Sequence, residues 1–270
     1  LNQYFTTINF PVLLRIIGLL LVIESVFLLI PLTTCLIYGE NDWRCFLIAF
    51  GVTAITGGAM AVTIHPSTPS MGKREGFLLT ALVWVFFSAF MENQPLSVSD
   101  AFFEAMSGFT TTGATIMKSI SHLSHGAVIW RSVMQWIGGM GIILFTLAVI
   151  PMLNHSGGMQ MFNAEVTGIT HDKRRPRISQ TAKSLWLIYI TLTVILFILL
   201  IIGPMEGFDA LCYSFSIMST GGFATSDEGL GLWKSDYIEV VATFFMFIGG
   251  VSFSLIYRAV HRDFRTVWGN

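Results

Sequence analysis

The sequence predicts an all-α integral membrane protein: a transmembrane helix pair, then two parallel repeats of helix, re-entrant loop and helix. Three observations carry this expectation. Only 11% of the 270 residues are charged and 53% are hydrophobic, against about 25% charged in a soluble domain. Six apolar stretches are each long enough for the roughly 20 residues a helix needs to cross a bilayer core. Two shorter, semi-polar segments, 99–110 and 208–219, fall at matching places between them. The same composition excludes disorder, nucleic-acid binding through a basic surface, and an ordinary soluble enzyme. Three cysteines are too few for a disulfide framework.

The elements follow in order along the chain. The first stretch, 10–32, carries Arg15 and Glu24 and lacks an A-x-A-like cleavage site, so it reads as a retained span and not a signal peptide. With the second stretch, 44–64, it makes an N-terminal helix pair assigned to residues 1–75. The first repeat, 76–183, holds a span at 76–92, the short segment 99–110, a Gly/Thr loop, a span at 128–153 and a cytoplasmic loop. The second, 184–270, repeats the order with a span at 184–203, the short segment 208–219, a Gly/Thr loop and a span at 236–258. Ten helical residues reach about 15 Å, half a membrane. A segment that enters and returns on one side is tolerated only where protein buries it or where it lines a watery cavity.

Lysine and arginine set the orientation. With six spans, both termini and the loops 65–75 and 154–183 share one side. That side holds Lys73, Arg74, Lys173, Arg174, Arg175, Arg177, Lys183, Arg258, Arg262 and Arg265. It is expected to be cytoplasmic. The opposite side has Arg44, Lys118 and Lys234 in its loops and Arg131 early in the fourth span. Facing outward are Glu40, Asp42, Glu92, Asp100, Glu104, Glu206, Asp209, Asp227, Glu228, Asp236 and Glu239. Most of these acids read as solvating loops, while their summed field concentrates cations at the outer mouth.

The repeat is visible residue by residue. Asp100-Ala101 recurs as Asp209-Ala210, Ser107 as Ser216, Thr111 as Thr220 and Gly113 as Gly222, all 109 positions apart. Trp136-Ile137-Gly138-Gly139-Met140-Gly141 is echoed by Phe247-Ile248-Gly249-Gly250-Val251-Ser252 at a spacing of 111. Ser99 or Asp100 is expected to cap the first short helix, and Asp209 to begin the second. Each would point its partially negative C-terminal end at the membrane centre, which stabilises a cation. Next come Thr110-Thr111-Thr112-Gly113-Ala114-Thr115 and Ser219-Thr220-Gly221-Gly222-Phe223-Ala224. Glycine allows backbone conformations that a Cβ resists, and successive carbonyls facing one axis replace an ion's hydration shell. Carbonyls without fixed carboxylates suit a weakly hydrated monovalent cation. One such loop is as readily a plain turn between buried helices; two copies, each after a half-length helix, favour an ion filter.

The run Phe102-Phe103-Glu104-Ala105-Met106-Ser107-Gly108-Phe109-Thr110-Thr111-Thr112-Gly113-Ala114-Thr115 closely resembles the first pore loop of bacterial Trk-type potassium uptake proteins of the TrkH-like branch. Gln135-Trp136-Ile137-Gly138-Gly139-Met140-Gly141, Pro176-Arg177-Ile178, Thr181-Ala182-Lys183 and Ser219-Thr220-Gly221-Gly222-Phe223 extend the resemblance over nearly the whole chain. It implies a potassium-channel-like architecture in a bacterial inner membrane, with the N-terminal pair as an addition that KtrB-type relatives lack. It also implies a filter at Thr110, Thr111, Thr112, Gly113, Ala114, Ser219, Thr220, Gly221, Gly222 and Phe223, with potassium held by Thr111, Thr112, Thr220 and Gly221. Potassium is then the transported ion, and no organic cofactor is expected. The implied partners are a TrkA-like cytosolic ring with nucleotide-binding domains and a second full-length subunit in a homodimer; nucleic acid is not among them. The family's pore uses four such units and this sequence carries two, so either a protein about twice as long or two copies assembling one pore is implied; the first is favoured, because the two loops differ from each other as successive family units do.

Other residues carry weaker signals. The glycines at 138, 139, 141, 249 and 250 suit close helix packing. Arg15 is placed to snorkel, whereas Glu24 is a charge inside a span. His122 and His125 have a helical metal-ligand spacing without a third ligand, so a solvated outer loop is the simpler reading. Cys35 and Cys45 flank an outer turn and have a spacing open to pairing. A sodium-permeable or weakly selective transporter on the same fold is the alternative function. An intramembrane enzyme or a non-conducting scaffold ranks below it, because every histidine lies at or beyond a span end.

Overall fold

The computed structural model describes residues 10–65, 97–153, 178–251, 253, 255 and 256, with backbone alone at 98, 140, 142–153 and 178–183. The expected span at 76–92 and most of the basic loop lie outside these residues. Every regular element among them is helical. In chain order they are α1 (Phe10–Tyr38), α2 (Trp43–Thr63), α3 (Val98–Phe109), α4 (His125–Leu153), α5 (Ile178–Ile202), α6 (Gly207–Met218), a 3-10 turn at Gly229–Trp233, and α7 (Asp236–Gly250). Phe10–Tyr38, Trp43–Thr63 and Ser184–Ile202 are long and apolar enough to cross a membrane.

Helices α1 and α2 form a tight antiparallel hairpin because glycine opens each to the other. A Cβ on Gly18 would meet Met60 Cβ at 2.7 Å and Gly57 O at 2.8 Å, and one on Gly57 would meet Gly18 O at 2.7 Å. Small residues of this kind let membrane helices approach backbone to backbone. Glu24 is only 1% exposed on α1, and neither of its carboxyl oxygens has a hydrogen-bond partner among the described residues.

Helix α4 organises the rest, packing against α1, α3, α5 and α6. Trp136 is its central anchor. Its ring lies 5.6 Å from that of Tyr189 on α5, 5.2 Å from Phe215 on α6 and 6.1 Å from Phe27 on α1. Its Nε1–H donates to Thr193 Oγ1 at 3.1 Å, and Tyr189 donates its hydroxyl to Trp136 O at 3.2 Å. One apolar core gathers α1, α3 and the N-terminal half of α4; a second gathers α5, α6 and α7 around Tyr189, Leu196, Tyr213 and Ile238.

Three sequence expectations change in detail. The cap of α3 is Ser97, whose side chain accepts from the Asp100 N–H, and not Ser99 or Asp100. Helix α6 opens at Gly207 after Glu206, with Asp209 inside its first turn. The regular helix expected over 236–258 is interrupted after Gly250, where Val251 is extended at φ −79° and ψ 142°, and residues 253, 255 and 256 are helical again. Two successive glycines forfeit helix propensity at that point. Cys35 and Cys45 are both free thiols, the first buried and the second exposed.

Candidate functional site

The half-length helices α3 and α6 are 12 residues each, about 18 Å long, and they end identically. In the first, Thr111 N–H donates to Gly108 O at 3.0 Å and Thr112 N–H to Ser107 O at 2.9 Å. In the second, Thr220 N–H donates to Ile217 O at 3.0 Å and Gly221 N–H to Ser216 O at 2.9 Å. This is the Schellman ending, in which the chain turns through one left-handed residue. Glycine normally occupies that place, yet Thr111 (φ 54°) and Thr220 (φ 53°) do so here. A β-branched residue at positive φ is an outlier that the surroundings must enforce. Two residues on, Gly113 and Gly222 are also at positive φ, 74° and 87°. Thr110 and Ser219 fix the turns in the same way, their hydroxyls donating four residues back to Met106 O (2.6 Å) and Phe215 O (2.8 Å). Among the described residues, no donor bonds the carbonyls of Thr111, Thr112, Thr220 or Gly221.

The two loops touch. A Cβ on Gly113 would run into the Gly221 carbonyl oxygen. Both are braced by glycine-bearing helices: a Cβ on Gly138 of α4 would run into Phe109 O, and one on Gly249 of α7 would lie 2.8 Å from Met218 O. Phe109 and Met218 are the last residues of α3 and α6, so each glycine opens room at the same point of its half helix. Gln135 of α4 packs against Gly221. Its Oε1 accepts from Phe223 N–H at 3.1 Å and lies 2.8 Å from Ser216 Oγ, which is also 2.7 Å from Phe223 O.

Behind the first loop lies a buried ion pair. Arg131 on α4 meets Glu104 on α3, Nη2 to Oε1 at 2.9 Å and Nε to Oε1 at 3.0 Å, with both side chains about 5% exposed. Glu104 also accepts from Thr115 Oγ1 (2.9 Å) and Ile116 N–H (3.2 Å), holding the irregular segment that leaves the first loop.

Farther along the chain, Asp227 beyond the second loop accepts from Ser119 Oγ (2.7 Å), Ile120 N–H (2.7 Å) and Ser121 Oγ (2.9 Å) beyond the first. These bonds, that of Ser119 foremost, hold its carboxyl below the usual value. Glu40, between α1 and α2, caps α4 by accepting from the His125 and Gly126 N–H groups at 2.8 and 3.2 Å. Partial burial pushes its carboxyl up, but these bonds outweigh that and leave it lowered. His125 Nδ1 lies 2.8 Å from the same carboxylate, and its ring stacks on Tyr38 at 3.9 Å.

Residues 46–269 match the family model described as TrkH, a cation transport protein. The chain belongs to the TrkH family. This is a family of transporters, not of enzymes. Over 269 residues it is 37% identical to the Trk system potassium uptake protein TrkH of Escherichia coli K12, covering 96% of this chain and 56% of that protein. TrkG of the same strain is 31% identical over 264 residues, 95% of this chain and 54% of TrkG. The crystal structure of the potassium transporter TrkH from Vibrio parahaemolyticus superposes with a TM-score of 0.79 at 32% identity, covering 96% of this chain and 53% of that one. The chain thus spans about half the length of the curated relatives it matches.

In this TrkH-family chain, Thr110, Thr111, Thr112, Gly113 and Ala114 form one loop, and Ser219, Thr220, Gly221, Gly222 and Phe223 the other, in contact through Gly113 and Gly221. The loops differ at their ends: Ala114 is exposed and Phe223 is buried. Glu40, Glu104 and Asp227, grouped in sequence with loop-solvating acids, each hold backbone or an ion pair instead. His125 is a helix-cap partner and not free in a solvated loop. Among the described residues no cluster of three metal-ligating side chains occurs. Glu104 and Arg131 were findable, because charges inside a membrane segment pair with one another; Asp227 had no such signal.

The Asp227 contact yields a pH prediction. A lowered folded-state value means that its contribution is complete above the ordinary carboxylate range and is lost as pH falls through the lowered value. Thermal unfolding of the Asp227→Asn variant should therefore lose the acid-side component present in the parent, below about pH 3.9. Parallel melting curves for both proteins across that window would show that the contact adds nothing.

Proposed function

We propose that this chain is the part of a bacterial Trk-type potassium uptake protein that supplies two of its filter loops, in two parallel helix–pore loop–helix repeats after an extra helix pair. The observation that carries this reading is the duplicated backbone: a half helix, a left-handed threonine and a positive-φ glycine, twice at a spacing of 109 residues, with the copies in contact. Carbonyls of Thr111, Thr112, Thr220 and Gly221 are the potassium ligands, consistent with their lack of described donors. Potassium passes down its electrochemical gradient from the acidic outer side, with the N-terminus and residues 154–183 in the cytoplasm of a cell whose inner membrane holds the protein. Homodimeric full-length subunits and a TrkA-like nucleotide-binding ring on the cytoplasmic face complete the system. The relatives named for potassium uptake support the choice of ion.

Expression of the full-length protein in a host without its own potassium uptake should restore growth at low potassium and give saturable rubidium uptake. Sodium influx matching that of rubidium would replace this reading with a weakly selective transporter. Absence of any cation flux from protein present in the membrane would leave a scaffold.

A further inference from the structure

Arg131 faces both loops at once. On one side its guanidinium pairs with Glu104 and donates from Nη2 to Thr115 Oγ1 at 3.2 Å, two residues after Gly113. On the other, its central carbon lies 4.2 Å from the centroid of the Phe223 ring, the residue after Gly222. Phe223 is 3% exposed, and its backbone is held by Gln135, one helical turn along α4 from Arg131. A continuous line of contacts therefore runs from the exit of the first loop through Glu104 and Arg131 to the second.

A buried ion pair is a poor source of net stability, because desolvation offsets its attraction. What it supplies is a fixed plane. Glu104 engages Nε and Nη2, so the guanidinium cannot turn without breaking the pair, and it is held over the face of the Phe223 ring, where a cation is attracted. We infer that Arg131, oriented by Glu104, is a positioning residue that couples the two loops through the face of Phe223. Ion selectivity is then set by both loops jointly. This inference rests on reading the loops as the filter.

The test uses the full-length protein in the uptake-deficient host, with the rubidium-to-sodium uptake ratio compared at equal membrane protein. Arg131→Lys keeps the charge and the partner of Glu104 but loses the plane; Phe223→Leu loses the ring; Phe223→Tyr retains it. Arg131→Lys and Phe223→Leu should each lower the ratio about fivefold, Phe223→Tyr, which keeps the ring face, should lose less than Phe223→Leu, and the double variant should be no worse than either single. Independent, multiplying losses, an unchanged ratio in Arg131→Lys, or an equal loss in Phe223→Tyr overturns the coupling. Gly113→Ser separates the two levels. If it lowers the ratio while Arg131→Lys does not, the coupling alone fails; if it too leaves the ratio unchanged, the filter reading fails with it.

Discussion

Serine in place of Gly113 collapses discrimination between potassium and sodium. Two independent penalties meet at this residue. Its φ of 74° lies where an L side chain is strained, at about 1–2 kcal/mol. Its added Cβ would also run into the carbonyl oxygen of Gly221, a backbone atom that cannot swing aside as a side-chain tip would. Relief requires one loop to move away from the other, and the atom displaced is a proposed potassium ligand. A loss of at least about tenfold in the rubidium-to-sodium ratio corresponds to only about 1.4 kcal/mol of altered ion preference. Gly222 provides the comparison. Its φ is 87°, but a Cβ there meets nothing within 4 Å, so Gly222→Ala bears backbone strain alone and should lose less than Gly113→Ala. Equal losses in these two alanine variants would show that the contact between the loops does not matter.

Gly138→Ala should be the most destabilising single methyl addition on α4. The new Cβ would run into Phe109 O at the end of α3, so α3 and α4 would have to separate at the base of the first loop. Overpacking against side chains costs about 1–3 kcal/mol; a clash with backbone belongs at or above the top of that range. Gly249→Ala is the same change in the second repeat, with 2.8 Å to Met218 O, and should cost less because its neighbour is farther. Gly58→Ala on α2 meets nothing within 4 Å and should be neutral or stabilising by about 0.5–1 kcal/mol, since alanine favours helix over glycine. Melting temperatures of the purified proteins give the ranking. A Gly138 variant as stable as the Gly58 variant would refute the close approach.

How legible the site was depended on the range of each signal. The half-length helices were readable within two residues, because an apolar segment too short to span is a local property. Their caps were misplaced, because Ser97, Ser99 and Asp100 are all good caps and the backbone path selects among them. The positive-φ glycines were legible as glycines, whereas the left-handed Thr111 and Thr220 were not, since threonine by itself opposes that conformation. The glycines at 138 and 249 suggested close packing without naming what they packed against.

By itself the sequence determined the all-helical membrane class, the order of long and short helices, the duplicated Gly/Thr loops and the sorting of charge along the chain. Each of these follows from composition, segment length or spacing. Only the tertiary structure decided which polar groups meet. Arg131 finds Glu104 across 27 residues, Ser216 finds Gln135 across 81, and Ser119 finds Asp227 across 108. A carboxylate in a sequence is simply an acid. Whether it solvates a loop or holds one in place depends on which donors the packing of α3, α4 and α6 brings within 3 Å, and no local pattern encodes that distance.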